Sequence, residues 1–271
     1  MSDATGSSVA GWLLLAAASL LAGAVNAIAG GGTILTFPVL GAILPAGPGR
    51  LVAANATSTI GLWPASVVAT WASRGSRGDL PSWAKWLVVP SFVGGAAGTL
   101  LVLCLPPAWF DGLVPWLILL AAVLFAIQPR VAAWAHGGGA ASPGRIAAAC
   151  GLQLLVGLYG GYFGAGIGIL MIAMLGLLGL GDIHRLNAVK NSLAMIVNGI
   201  ATAVFVAGSF LGTHDVSWPH AAVMVVAGMT GSLAASRIAR KLPAATLRRV
   251  VAIIGFALAG YYFWRQWQGH A

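Results

Sequence analysis

Glutamate is missing from this 271-residue chain, and its acidic residues are five aspartates, Asp3, Asp79, Asp111, Asp182 and Asp215. All five fall in the N-terminal tail or between apolar stretches, so no carboxylate is placed to relay protons through a membrane interior. Cysteine is nearly as scarce. Cys104 and Cys150 stand alone in separate apolar stretches, which excludes a disulfide framework, a redox pair and a cysteine metal site. No Ser/His/Asp, Cys/His or metal-ligand grouping occurs within those stretches, so the chain is predicted not to be an enzyme and to need no metal or cofactor. Charged residues of both signs make up 7% of the whole, against about 25% in a soluble domain. That scarcity excludes an ordinary soluble protein.

What the chain does have is apolar length. Hydrophobic residues make up 59%, in runs that predict an all-α integral membrane protein with long spans near 9–27, 51–73, 83–104, 113–129, 145–162, 187–211, 218–236 and 247–264. Two shorter apolar pieces, near 33–45 and 166–180, are left over. The first holds too few residues to cross a bilayer upright. Tryptophans such as Trp12, Trp71, Trp83, Trp109, Trp218 and Trp267 gather near predicted span ends, as an interfacial belt does. The N-terminal Met1–Gly6 lacks the positive region of a secretory signal, so the first span is read as beginning near Val9.

The two short pieces each follow a glycine-rich break. The first break runs Asn26-Ala-Ile-Ala-Gly30-Gly31-Gly32-Thr33, and the second runs Gly157-Leu-Tyr-Gly160-Gly161-Tyr-Phe-Gly164-Ala-Gly166-Ile-Gly168. After each comes a basic residue, Arg50 or Arg185, and then a span bearing asparagine, at Asn55-Ala-Thr57 or at Asn187 and Lys190-Asn191. A shift of about 135 residues, half the chain, lays one copy on the other. The chain therefore reads as two repeats, 1–136 and 145–271, joined by the Gly-rich linker 137–144 and forming one membrane unit.

Charge sets their relative orientation. The net charge of +9 would suggest nucleic acid for a soluble protein, but here the basic residues lie between apolar spans, and no nucleic-acid partner is expected. Arg74, Arg77 and Lys85 follow the second long span, while the matching loop around His214 and Asp215 holds no Lys or Arg. The next pair of loops reverses this: 105–112 is without positive charge, and its counterpart carries Arg237, Arg240, Lys241, Arg248 and Arg249. Matching loops of opposite charge character predict inverted repeats. With five membrane segments in each, the short pieces being broken or re-entrant helices, twelve of the fourteen basic residues face the cytoplasm and only Arg50 and Arg265 lie outside. Eight simple spans would split them eight and six. The five-segment reading puts both termini outside.

Unwound backbone at membrane depth must line protein or a watery cavity, and glycine-interrupted segments at matching places in two halves point to a transporter's binding site. A helix that starts just after such a break presents unpaired N–H groups and partial positive charge. Two such starts, at Gly31, Gly32 and Thr33 and at Gly164, Gly166 and Gly168, would cradle a small anion. Asn26, Asn55, Thr57, Asn187 and Asn191 are candidates to complete its hydrogen bonds; their competing role is to join helices. Asn187, Asn191, Asn198 and Thr202 share one helical face. Lys190, also counted among the candidate substrate-binding residues, and Arg185 are read near the cytoplasmic end of a span, either drawing anions inward or marking topology.

At these motifs the chain resembles the sulfite exporter TauE/SafE family of bacterial membrane proteins. The resemblance is carried by Asn26-Ala-Ile-Ala-Gly-Gly-Gly with Pro38 and Ala54-Asn55-Ala-Thr57, and by Gly160-Gly-Tyr-Phe-Gly164-Ala-Gly166 with Asn187 and Lys190-Asn191. It spans about residues 10–265. It implies export of sulfite, sulfoacetate or a related sulfur-containing or carboxylate anion across the bacterial cytoplasmic membrane. Thr33 and Ile167 depart from the pattern and bear on which anion. The expected partners are that small anion and the lipid bilayer, with a homodimer open. An anion channel and a non-transporting assembly partner remain the alternatives.

Overall fold

A chain this apolar must satisfy its backbone polar groups internally, and in lipid the helix does so within one segment. The computed structural model describes residues 8–28, 30–74, 80–133, 142–238 and 244–269, and among these it shows ten α-helices and no strand. They are α1 (Val9–Ile28), α2 (Thr33–Ile43), α3 (Arg50–Arg74), α4 (Val88–Cys104) and α5 (Pro107–Ala133), followed by α6 (Pro143–Tyr162), α7 (Ile167–Leu177), α8 (Ile183–Phe210), α9 (Trp218–Ile238) and α10 (Ala244–Trp267). A 3-10 turn at Ser82–Leu87 leads into α4. Residues 137–141 of the predicted linker and the loop positions Arg77, Arg240 and Lys241 lie outside the described residues.

Five segments are both long and apolar enough to cross a bilayer: Val9–Ile28, Arg50–Ala72, Ser82–Cys104, Pro107–Val131 and Ile183–Phe210. The other long helices, α6, α9 and α10, have 20, 21 and 24 residues, enough length for a crossing. Their ends follow local chemistry. Pro107 and Pro143 open α5 and α6, where a missing N–H costs nothing. Ser142 accepts from the Arg145 amide at 3.4 Å, and Asp182 accepts from the His184 and Arg185 amides at 2.9 and 3.1 Å.

Two of these starts correct the sequence boundaries. The sequence places the fourth long span from 113 and the sixth from 187, whereas α5 begins at Pro107 and α8 at Ile183. The α8 cap also carries a prediction. The Asp182 carboxyl is held below its ordinary range, chiefly by the Arg185 amide, which together with the His184 amide and the Arg185 charge outweighs the opposing desolvation. The cap's contribution is therefore complete above the ordinary carboxylate range and fades as pH falls below it. Asp182→Ala is expected to cost about 0.5–2 kcal/mol of local stability. Hydrogen exchange at His184 and Arg185 checks this; unchanged protection would remove the cap from the account.

The helices pack in a crossed pattern. α1 lies along α9 and α4 along α6, so each pair takes one helix from each half; α3 packs on α8 and α5 on α10. Glycines bring the first two pairs backbone to backbone. A Cβ at Gly23 or Gly231 of these helices would overlap the Gly228 or Leu20 carbonyl across the α1–α9 seam. Across the α4–α6 seam the same holds for Gly94, Gly98 and Gly161 against the Leu154, Leu158 and Gly95 carbonyls. Small residues at such crossings let helices approach where lipid offers no hydrophobic driving force. Thr99 Oγ1 donates to the Gly161 carbonyl at 3.0 Å, and Gln153 Nε2 to Ser91 Oγ at 2.8 Å, adding polar links to the α4–α6 seam.

Candidate functional site

The glycine runs end helices. α1 stops at Ile28 and α2 starts at Thr33, with Gly30 and Gly31 between them at φ 78° and 96°. α6 stops at Tyr162 and α7 starts at Ile167, with Gly164 and Gly166 at φ 80° and 76°. Left-handed backbone of this kind strains any residue with a Cβ. The chain turns back after the first break, since Gly11 near the start of α1 faces Ile43 at the end of α2.

The two breaks meet. A Cβ on Gly31 would lie 2.6 Å from Gly166 Cα, and one on Gly30 would lie 2.9 Å from Gly168 Cα. The N-terminal ends of α2 and α7 are thereby brought to one place deep in the protein. Gly30 through Pro38 and Tyr162 through Ile169 are all buried. Each helix start carries unpaired N–H groups and about half a positive charge, so the junction suits an anion.

Side chains from α1, α3 and α6 hold the breaks open in this shape. Asn26 Oδ1 accepts from the Gly31 amide at 3.1 Å, and its Nδ2 donates to Ser66 Oγ on α3 at 2.7 Å. Asn55 Nδ2 donates to the Tyr162 carbonyl at the end of α6, at 3.0 Å. Tyr159 hydroxyl donates to the Ala165 carbonyl at 2.6 Å, satisfying an oxygen that the break strips from helix pairing. Thr36 and Ser58 hydroxyls meet at 2.6 Å and pin α2 to α3.

Several candidate residues have other engagements. Asn26 and Asn55 brace the two breaks with amide groups that the sequence assigned to the anion. Thr57 Oγ1 accepts from the Ser217 amide at 3.0 Å, ahead of α9. Asn187 Nδ2 donates back to the Ile183 carbonyl of its own helix at 2.8 Å. For Asn191, buried on α8, it is the backbone carbonyl that accepts from Thr70 Oγ1, at 3.0 Å. Thr33 stays at the junction: Gly164's Cβ position lies 3.9 Å from Thr33 Oγ1 and 3.7 Å from Asn198 Oδ1.

The largest correction concerns Lys190. The sequence places it near a cytoplasmic span end, yet it is 1% exposed and its Cδ lies 3.9 Å from the Gly30 Cβ position. α8 starts at Ile183, so residue 190 falls two turns inside it. Among the described residues it is the one buried Lys or Arg. A charged side chain at this depth is costly and calls for polar surroundings. Tyr159, Ser66 and Asn198 are the residues the sequence reading did not bring to the site. Asn198, on the Asn187–Asn191 face, and Ser66, on the face of Asn55, Thr59 and Leu62, carried a periodic signal; Tyr159 carried none.

One flank of the junction is aromatic. Phe37 of α2 meets Phe163 of the second break edge-on at 5.2 Å between centroids, and Phe110 meets Tyr162 at 5.5 Å. Across the whole arrangement, the family model described as "Sulfite exporter TauE/SafE" matches residues 15–262. The chain belongs to that family. It is also 27% identical over 249 residues, 89% of this chain and 88% of the relative, to a "Probable membrane transporter protein ORF9" from Sinorhizobium sp. No solved structure matches it. This TauE/SafE family member is a multi-pass membrane transporter.

Proposed function

We propose that the protein is a secondary transporter that exports a small sulfur-containing oxyanion or organic anion, such as sulfite or sulfoacetate, across the bacterial cytoplasmic membrane. The anion binds where the two breaks meet and crosses by alternating access. The observation that carries this reading is the buried Lys190 beside two converging helix starts, Gly31–Thr33 and Gly166–Gly168. Backbone N–H groups and one ammonium together favour a small anion. Burial of both breaks supports a carrier over an open pore.

The repeat reading has support in the lengths and the packing. α1 and α6 both have 20 residues, and α2 and α7 both have 11. Exchanging the halves turns the α1–α9 pair into α6–α4, and the α5–α7 pair into α10–α2, all of which pack. In the orientation set by loop charge, α1 begins and α10 ends outside. An inside-negative potential then favours anion exit by about 2.3 kcal/mol per charge per 100 mV, with no coupling ion required.

Proteoliposomes loaded with labelled sulfite test this. Imposing an inside-negative potential is expected to accelerate efflux, and a further 60 mV, about 1.4 kcal/mol per charge, to deepen the final gradient roughly tenfold. Efflux driven by a pH gradient and indifferent to potential would overturn the uniport mechanism. The absence of efflux for sulfite, thiosulfate, sulfoacetate and small carboxylates alike would overturn the anion assignment.

A further inference from the structure

At the end of the molecule where α2 finishes and α3 begins, a cavity of about 370 Å³ opens between residues 46–51, the start of α5 and the end of α10. Its polar lining is Arg50, Asp111, Tyr262, Arg265 and Gln266. Arg50 and Arg265 come from opposite ends of the chain, yet they share this space. In the export topology they are the two basic residues on the external face. Positive charge on that face runs against the orientation bias of membrane proteins, so topology does not account for the pair.

The surroundings fix their charges in place. Gln266 Nε2 donates to the Asp111 and Gly112 carbonyls at 2.9 and 3.3 Å, tying the end of α10 to the start of α5. The Arg265 guanidinium stands 5.8 Å over the Tyr261 ring. Asp111 lies within electrostatic reach of Arg50, and its Oδ1 is buried without a hydrogen-bond partner among the described residues. Two guanidiniums and one carboxylate give the cavity a net single positive charge. Packed rings lie between the cavity and the breaks: Phe37, which packs on Phe163, lies 6.4 Å from the Tyr262 ring.

We propose that this cavity is a second anion site, the release station on the external face, which takes a small monovalent oxyanion with two acceptor oxygens. This rests on the export reading above. An anion leaving the breaks passes Phe37 and is received by Arg50 and Arg265, with the Tyr262 hydroxyl as a further donor. Asp111 offsets part of the charge and keeps residence short.

The test uses the full chain in phosphatidylcholine vesicles, with sulfite as the transported anion. External methanesulfonate, a monovalent sulfur oxyanion that does not add to carbonyls as sulfite does, is expected to slow modification of Arg50 and Arg265 by a dicarbonyl arginine reagent added outside, read by peptide mass. In Arg50→Gln/Arg265→Gln, the external sulfite concentration that half-maximally affects tracer efflux is expected to rise at least about tenfold, the loss of one charge-assisted hydrogen bond. Arg50→Lys/Arg265→Lys is expected to fall between. Absence of protection, or an unchanged half-effect concentration, overturns the site, as does protection by phosphatidylglycerol vesicles alone, which would assign the pair to a lipid headgroup. The protection assay needs no variant, so a misfolded double mutant does not leave the question open. Loss of sulfite efflux with protection intact would count against the breaks and leave this site standing.

Discussion

Vesicles carrying Lys190→Met are expected to show no anion efflux above background, while the purified variant elutes from a sizing column as the wild type does. Methionine has similar length and volume, so it fills the same channel beside Gly30 and removes only the charge. Truncating one partner of a buried charged contact costs about 2–5 kcal/mol, a loss of roughly thirtyfold to several thousandfold in binding. With Lys190 1% exposed, water does not screen or replace that interaction. Lys190→Arg keeps the charge but brings a larger, planar head against the first break, so it should transport slowly. Wild-type efflux from Lys190→Met would sink the junction as the binding site. Impaired folding of both variants with normal flux per folded molecule would make Lys190 structural.

Gly31→Ala is expected to lower the melting temperature and the yield of folded protein sharply. The substitution meets two penalties at once. Its φ of 96° strains an L side chain, worth about 1–2 kcal/mol. Its Cβ would sit 2.6 Å from Gly166 Cα, and no flexible side chain is available to move aside. Overpacking of this kind adds about 1–3 kcal/mol or more, against a typical total stability of about 5–15 kcal/mol. The observable is loss of monodisperse protein after membrane extraction. Gly151→Ala in α6 and Gly260→Ala in α10 are the controls, since nothing lies within 4 Å of a Cβ at either. They should leave yield and melting temperature unchanged or slightly improved. A Gly31→Ala variant that melts with the wild type would mean that the breaks do not touch as described.

The sequence carried the segment order well, because hydropathy and glycine punctuation act locally. The short helices predicted near 33–45 and 166–180 are found at 33–43 and 167–177, each starting where left-handed glycines end. Direction of side chains was less legible. Asn26 and Asn55 were visible as polar groups beside a break, but their partners, Ser66 and the Tyr162 carbonyl, lie 40 and 107 residues away. Lys190 was misplaced for a traceable reason. The Asp182 cap starts α8 four residues before the predicted 187, and this carries a residue that looked like a topology signal into the interior. The same error at Pro107 left Phe110 and Asp111 in a loop, when Phe110 packs beside the junction and Asp111 lines the external cavity.

The crossed glycine seams have a consequence for the order of synthesis. α1 closes against α9, whose residues begin at Trp218, and α4 closes against α6 in the other half. At about 5–20 residues per second, α1 is made roughly 10–40 s before the surface it must meet. During that interval its glycine face has only lipid or the insertion machinery for company. A chain cut after α8 would keep α1 waiting indefinitely, so truncated products should be prime targets for membrane proteolysis. Conversely, the two halves expressed as separate polypeptides should each be short-lived alone and should rescue one another when made together.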